Sequence, residues 1–180
     1  MRKWRSKYHD ADWHYGSDDY PPELATRHAS THIGMFIVWA YDAVWAYDAG
    51  LLRLEEMRSD IGKGWFEELR RGEGSFGQMT EDFFDGKLNA DDLTDEGWAF
   101  ADWYYDRYLT EFTDFLPADA ASPYPLPDNI DSFRNISALL DKRLAEFRLP
   151  PAKRPQPPGM AATLSAMLHQ VWDRIVGGKA

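Results

Sequence analysis

From residue 33 to residue 52 the chain is apolar at nearly every position, interrupted only by Gly34, Asp42, Asp48, Gly50 and Tyr or Trp rings. A helix that is apolar on all sides fits a central position better than a surface one. The pattern predicts a helix over 22–49, entered through Pro21-Pro22 and stopped by Gly50. A second helical stretch over 55–71 carries Gly62 and Gly64, and a glycine-rich turn, RGEGSFG, follows it. Thr94 reads as the N-cap of a strong helix whose first turn is acidic. There Phe100, Trp103, Tyr104, Arg107 and Tyr108 recur at spacings of three and four, placing an aromatic stripe inward and the acids outward. A proline-punctuated loop over 117–127 leads to a further helix over 130–147. The segment LPPAKRPQPPG reads as a semi-rigid linker, and residues 160–176 as an amphipathic terminal helix. No segment sustains period-two alternation with β-branched residues. The expected fold is therefore mainly α: a single compact multi-helix domain over 1–149 with a long central aromatic-rich helix, a Pro-rich linker over 150–159 and a C-terminal helical extension over 160–180.

The central helix contains one sequence written twice, VWAYDA over 38–43 and again over 44–49. Six residues turn a helix by about 600° and advance it about 9 Å, so the copies face directions about 120° apart. Trp45 and Tyr47 in the second copy become candidates for a partner contact.

Charge narrows the field of partners. The chain of 180 residues carries a net charge of −10, which disfavours nucleic acid as a ligand because phosphate neutralisation needs a basic face. The acidity is concentrated: residues 85–119 hold ten carboxylates against Lys87 and Arg107. Asp85, Asp91, Asp92, Asp95, Glu96, Asp102 and Asp106 are the candidate partner-binding acids. There is no cysteine, which removes disulfides, thiolate nucleophiles and Cys-ligated zinc. The basic first residues are followed by polar YHDADWH where a signal peptide would be apolar, and Asp42 and Asp48 spoil the longest apolar run as a membrane span. A cytoplasmic protein without a membrane partner is expected.

Three patterns have chemical potential. Gly72, Gly74 and Gly77 match G-x-G-x-x-G but follow a helix rather than the strand a dinucleotide loop requires. Residues 85–96 have the length of a calcium loop, yet Lys87 and Ala90 stand where a carboxylate and a glycine are needed. His28 and His32 are four apart on the expected first helix, and His9, Asp10, Asp12 and His14 approach from the preceding loop. Imidazole and carboxylate together suit zinc, iron or manganese. His14, His28 and His32 form the candidate ligand set, with a transition metal as the one cofactor the residues allow and none as the leading expectation.

The blocks DADWHYGSDDYPPEL, THIGMFIVWAYDAGLL (read with one VWAYDA copy removed), DFFDGKLNADDLTDEGWAFADWYYDRYL and PDNIDSFRNISALLDKRLAEF resemble an uncharacterised bacterial domain family sharing W-H-Y-G, T-H-I-G-M-F, D-G-K-L and a Tyr-Tyr pair before Tyr-Leu. The likeness covers about residues 8–147, with one hexapeptide copy left over. Members look like immunity proteins of polymorphic toxins. The resemblance thus implies a non-enzymatic, antitoxin-like protein that neutralises a cognate secreted toxin stoichiometrically, with an acidic surface meeting a basic active-site face. The competing expectation is a metal-dependent, hydrolase-like enzyme built on the N-terminal His/Asp cluster.

Overall fold

The computed structural model describes residues 6–15, 20–42, 60–118, 120 and 124–155. The architecture is mainly α, as the apolar pattern predicts. In chain order it comprises β1 (Lys7–Asp10), α1 (Asp12–Tyr15), α2 (Thr31–Asp42), α3 (Asp60–Arg71), α4 (Phe76–Phe84), β2 (Lys87–Asn89), α5 (Asp95–Phe112) and α6 (Ile130–Arg148). The strands pair antiparallel, Lys7 opposite Asn89 and Asp10 opposite Lys87, with an irregularity between Lys7 and His9. Strands this short carry too few alternations to register as period two, so the small sheet is absent from the sequence pattern.

Helix α2 is the centre of the domain. Every residue from Ile33 to Ala40 is buried, as expected for a helix apolar all round. Phe36 packs against Phe100, Tyr105 and Tyr108 of α5, and the Trp39 indole donates to Asp141 of α6 at 2.8 Å. Tyr41 stacks on Phe66 of α3 at 4.2 Å between ring centroids. Each such aromatic contributes about 2 kcal/mol through area removed from water.

Two glycines let α4 approach. A Cβ on Gly34 would lie 2.2 Å from the Phe76 carbonyl oxygen, and one on Gly77 would lie 2.0 Å from the Arg27 carbonyl oxygen. Backbone therefore meets backbone where α4 crosses the start of α2. Of the apparent phosphate-loop glycines, Gly77 serves this packing from inside α4, while Gly72 follows helix α3 with a φ of 75°.

The central helix starts later than the sequence suggests. Residues 26–29 form a 3₁₀ turn, and α2 begins at Thr31. The Tyr20 hydroxyl donates to the Ala25 and Thr26 carbonyls at 2.7 and 3.3 Å. Those acceptors are the ones an α-helix through Ala29 and Ser30 would need. His28 and His32 consequently lie on different elements. The far half of the VWAYDA repeat, with Trp45 and Tyr47, lies outside the described residues, as do 55–59 of the second expected helix and the extension over 160–180.

The remaining caps follow ordinary rules. Ser75 accepts from the Gln78 amide, Thr94 from the Gly97 amide, and Asn129 from the Asp131 and Ser132 amides. Asp128 reaches across from the loop before α6 to accept from the Phe76 and Gly77 amides at 2.8 and 3.2 Å, joining two helix starts through one carboxylate. The calcium-loop spacing dissolves into structure. Asp85 caps α4 in a left-handed conformation and pairs with Lys87, while Asp92 accepts from the Asn89 amide at 2.8 Å in a capping box. Beyond α6, Arg154 folds back over Phe147 at 4.3 Å. No helix among the described residues is long and apolar enough to cross a membrane.

Candidate metal centre

Three histidines from three elements converge beneath the two-stranded sheet. His9 is on β1, His14 on α1 and His32 on the first turn of α2. One ring nitrogen of each lies within 4.8 Å of the others, and all three residues are buried. The Ala11 amide donates to the Gly86 carbonyl at 2.9 Å, holding the turn between β1 and α1 against the sheet. This turn brings His14 back over His9, with the rings stacked 5.0 Å apart. His32 meets both rings edge-on, at 4.6 and 5.6 Å between centroids.

His9 and His14 meet through their Nε2 atoms at hydrogen-bonding distance. His9 Nε2 and His14 Nε2 are 2.8 Å apart, and His14 Nδ1 lies 2.9 Å from the Tyr124 hydroxyl. When His14 Nδ1 donates to Tyr124, its Nε2 carries a lone pair, the same tautomer selection that partners of metal-ligating histidines impose. Two imidazoles on a tetrahedral zinc-type ion have nitrogens about 3.4 Å apart, given bonds of about 2.05 Å. An opening of about half an ångström between His9 and His14 accommodates that geometry.

Electrostatics favour the neutral rings that metals require. Burial, reinforced by His14 and opposed by Asp10, lowers His9 to about 3. Burial, partly offset by Asp10, lowers His14 to about 4. His32 is lowered well below the usual imidazole value by burial, then by His9 and His14. At neutral pH each ring is therefore uncharged, with one N–H and one nitrogen lone pair able to bind a metal. Asp10 is not a competitor for these rings. Burial works to raise its carboxyl, but Lys7, the Asp12 amide and the charge of Lys87 together hold it low, and its oxygens are engaged by Lys7 and Asp12.

Two buried polar atoms nearby lack hydrogen-bond partners: His9 Nδ1 and the Tyr105 hydroxyl. Tyr105 is completely buried, with its ring 6.1 Å from that of His9. The outer side of His9 is covered by Trp13, which is 55% exposed and 5.3 Å away.

Of the expected ligands, the structure brings His14 and His32 together and leaves His28 out. His28 sits on the 3₁₀ turn of residues 26–29, because the α-helical spacing that would align it with His32 is broken there. His9 takes its place. The Asp12 backbone amide donates to Asp10 at 3.0 Å, and Asp12 is not among the residues that bring ligand atoms together. Tyr124 and Tyr105 carry no sequence signal of their own: one lies 110 positions from His14, and the other reads as a core aromatic.

The candidate partner-binding acids are spread along residues 85–106, and Asp85 pairs with Lys87 of β2, the strand next to His9. Asp85, Asp91, Asp95, Glu96, Asp102 and Asp106 are exposed, and Asp92 is half-buried. Asp95, Asp102 and Asp106 follow one face of α5 at helical spacing, while Glu96 pairs with Arg148 at 2.9 Å. Phe100, Tyr104 and Tyr108 of the expected stripe are buried, whereas Trp103 and Arg107 lie at its edge. There Arg107 stands 5.4 Å from the Trp103 ring and bonds Glu111 at 3.0 Å.

With this geometry in view, comparison with known families decides the affiliation. A family described as Domain of unknown function (DUF7832) matches residues 7–125. The chain belongs to that family. The matched span contains His9, His14 and His32, together with Tyr105 and Tyr124, and ends before α6. No curated protein and no solved structure matches the chain.

Proposed function

We propose that this DUF7832 domain binds one divalent transition metal, of the zinc type, through His9, His14 and His32. The observation that carries the reading is the convergence of three buried imidazoles from three elements, with the Nε2 atoms of His9 and His14 2.8 Å apart. A core built for stability alone gains little from grouping three histidines, since each brings two polar nitrogens that need partners. Imidazole donors without thiolate or carboxylate suit zinc, copper, nickel and iron and disfavour calcium and magnesium. Such a centre serves a metal-dependent enzyme of the hydrolase class.

Zinc titration of metal-free protein, with elemental analysis, tests this. One equivalent per chain is expected. His9→Ala, His14→Ala and His32→Ala should each weaken binding by more than the roughly 10- to 100-fold typical of outer-sphere partners, while His28→Ala leaves it unchanged. Equal zinc binding by His14→Ala and the parent protein removes the centre.

A second reading rests on α5. The outward carboxylates Asp95, Asp102 and Asp106 support an immunity-type role, binding a secreted toxin with a basic active-site face. Reversing these three to Lys should slow association with the cognate toxin and flatten its salt dependence; unchanged rates discard this face.

A further inference from the structure

The donor set of the three-histidine centre leaves a charge unanswered. A divalent ion held by three neutral imidazoles keeps its full charge of two, in a place where His9, His14 and His32 are buried. An uncompensated charge in such surroundings is strongly disfavoured. The nearest carboxylate cannot balance it without losing its own partners. Asp10 is bound by Lys7 and the Asp12 amide, and Lys87 adds a second cation beside it. Among the described residues, the group that brings ligand atoms together contains three histidines and no acid.

The surroundings also contain a donor that the fold does not use. The Tyr105 hydroxyl is completely buried, has no hydrogen-bond partner and belongs to a ring packed beside His9. A buried hydroxyl without a partner costs about 1–3 kcal/mol, so it marks a place where a partner is missing. A phenol is protonated at neutral pH, so the hydroxyl is a hydrogen-bond donor. Access is short on one side, because the half-exposed Trp13 covers His9.

Resting on the metal-binding reading above, we infer that the metal at His9, His14 and His32 keeps one coordination position for a small monoanion, which receives a hydrogen bond from Tyr105. Three protein ligands and one exchangeable ligand distinguish a reactive zinc-type centre from a closed structural one. The anion lowers the site's charge from two to one and gives the Tyr105 hydroxyl its partner. Hydroxide and carboxylate both meet this description, and azide is a probe of the same charge and small size.

Cobalt(II) absorption of the full-length protein separates the two readings. Loading should give the intense visible bands of a tetrahedral ion. Azide should then shift them saturably with one equivalent bound, and Tyr105→Phe should keep the cobalt while weakening azide by about tenfold. Cobalt bands that azide leaves unchanged show a closed centre and overturn the open position while preserving metal binding. Unaltered azide affinity in Tyr105→Phe overturns the role of Tyr105. Failure to bind cobalt at all overturns the metal-binding reading itself.

Discussion

The domain contains two concentrations of polar side chains, and they solve the cost of burial in opposite ways. Between α5 and α6, Glu111 and Glu146 face Arg107 and Arg143. Arg143 bonds Glu111 and Glu146 at 2.8 Å each, and Tyr104 donates to Glu111 at 2.7 Å. Burial works to raise Glu111, but these partners outweigh it and hold the carboxyl low. Every charge there has its counter-charge within the protein. Around His9, His14 and His32 the groups are alike, burial keeps them neutral, and a ring nitrogen and a hydroxyl remain without partners. The first cluster is complete as folded and holds two helices together. The second has bonding capacity left over as folded. Surplus bonding capacity beside grouped imidazoles, rather than polarity, is what makes the second cluster a candidate site.

The comparison breaks most severely if the scaffold shared by both clusters is disturbed. Gly34→Ala forces a Cβ to within 2.2 Å of the Phe76 carbonyl, where backbone cannot yield as a side chain does. It should destabilise the domain by about 3 kcal/mol, at the upper end for overpacking, as read from urea unfolding.

Acid should separate the two clusters next. Their lowered pKa values mean that His9, His14 and His32 bind fewer protons folded than unfolded. The sign follows: stability is constant above about pH 6.5 and falls below it, by up to about 1.4 kcal/mol per pH unit for each histidine. For His9 and His14 the loss ends near their folded values of about 3 and 4. Metal-free protein should therefore lose stability between pH 6.5 and 4, before its paired carboxylates titrate. A pH-independent denaturation midpoint across that range contradicts the neutral, buried assignment.

Arg143→Ala probes the completed cluster. Glu111 and Glu146 are about one-fifth exposed, so leaving them short of a partner should cost about 2 kcal/mol and leave zinc affinity unchanged. Tyr124→Phe is the mirror experiment and the smallest effect. It removes the partner of His14 Nδ1 and should weaken zinc about tenfold with little change in the thermal midpoint.

How much of this was legible in the sequence depends on how local each cause is. The near-continuous apolar character around Phe36 announces a buried central helix, and Thr94 and its acidic first turn announce α5, because helix periodicity and capping act within a few residues. The late start of α2 was not legible. It depends on Tyr20 reaching the Ala25 and Thr26 carbonyls and on Gly77 abutting Arg27, both contacts across an element boundary. The same shift explains the site. His28 looked like the neighbour of His32 only while one helix was assumed to run through both. His9 was visible as a residue able to approach, but its inclusion depends on the pairing of β1 with β2. Tyr124 and Tyr105 are joined to the centre by folding alone. The acidic residues of α5 were legible as outward-facing from their spacing, since a helix surface is set by its own period.

X-ray absorption at the zinc edge addresses the central claim most directly, because it reads the ligands rather than the consequences of binding. In zinc-loaded protein the first shell should fit three imidazole nitrogens and one oxygen from the exchangeable ligand at about 2.0–2.1 Å, with the multiple-scattering signature of imidazole reduced by one third in His9→Gln. A shell of oxygen alone, or one unchanged in His9→Gln, would contradict a centre built from His9, His14 and His32.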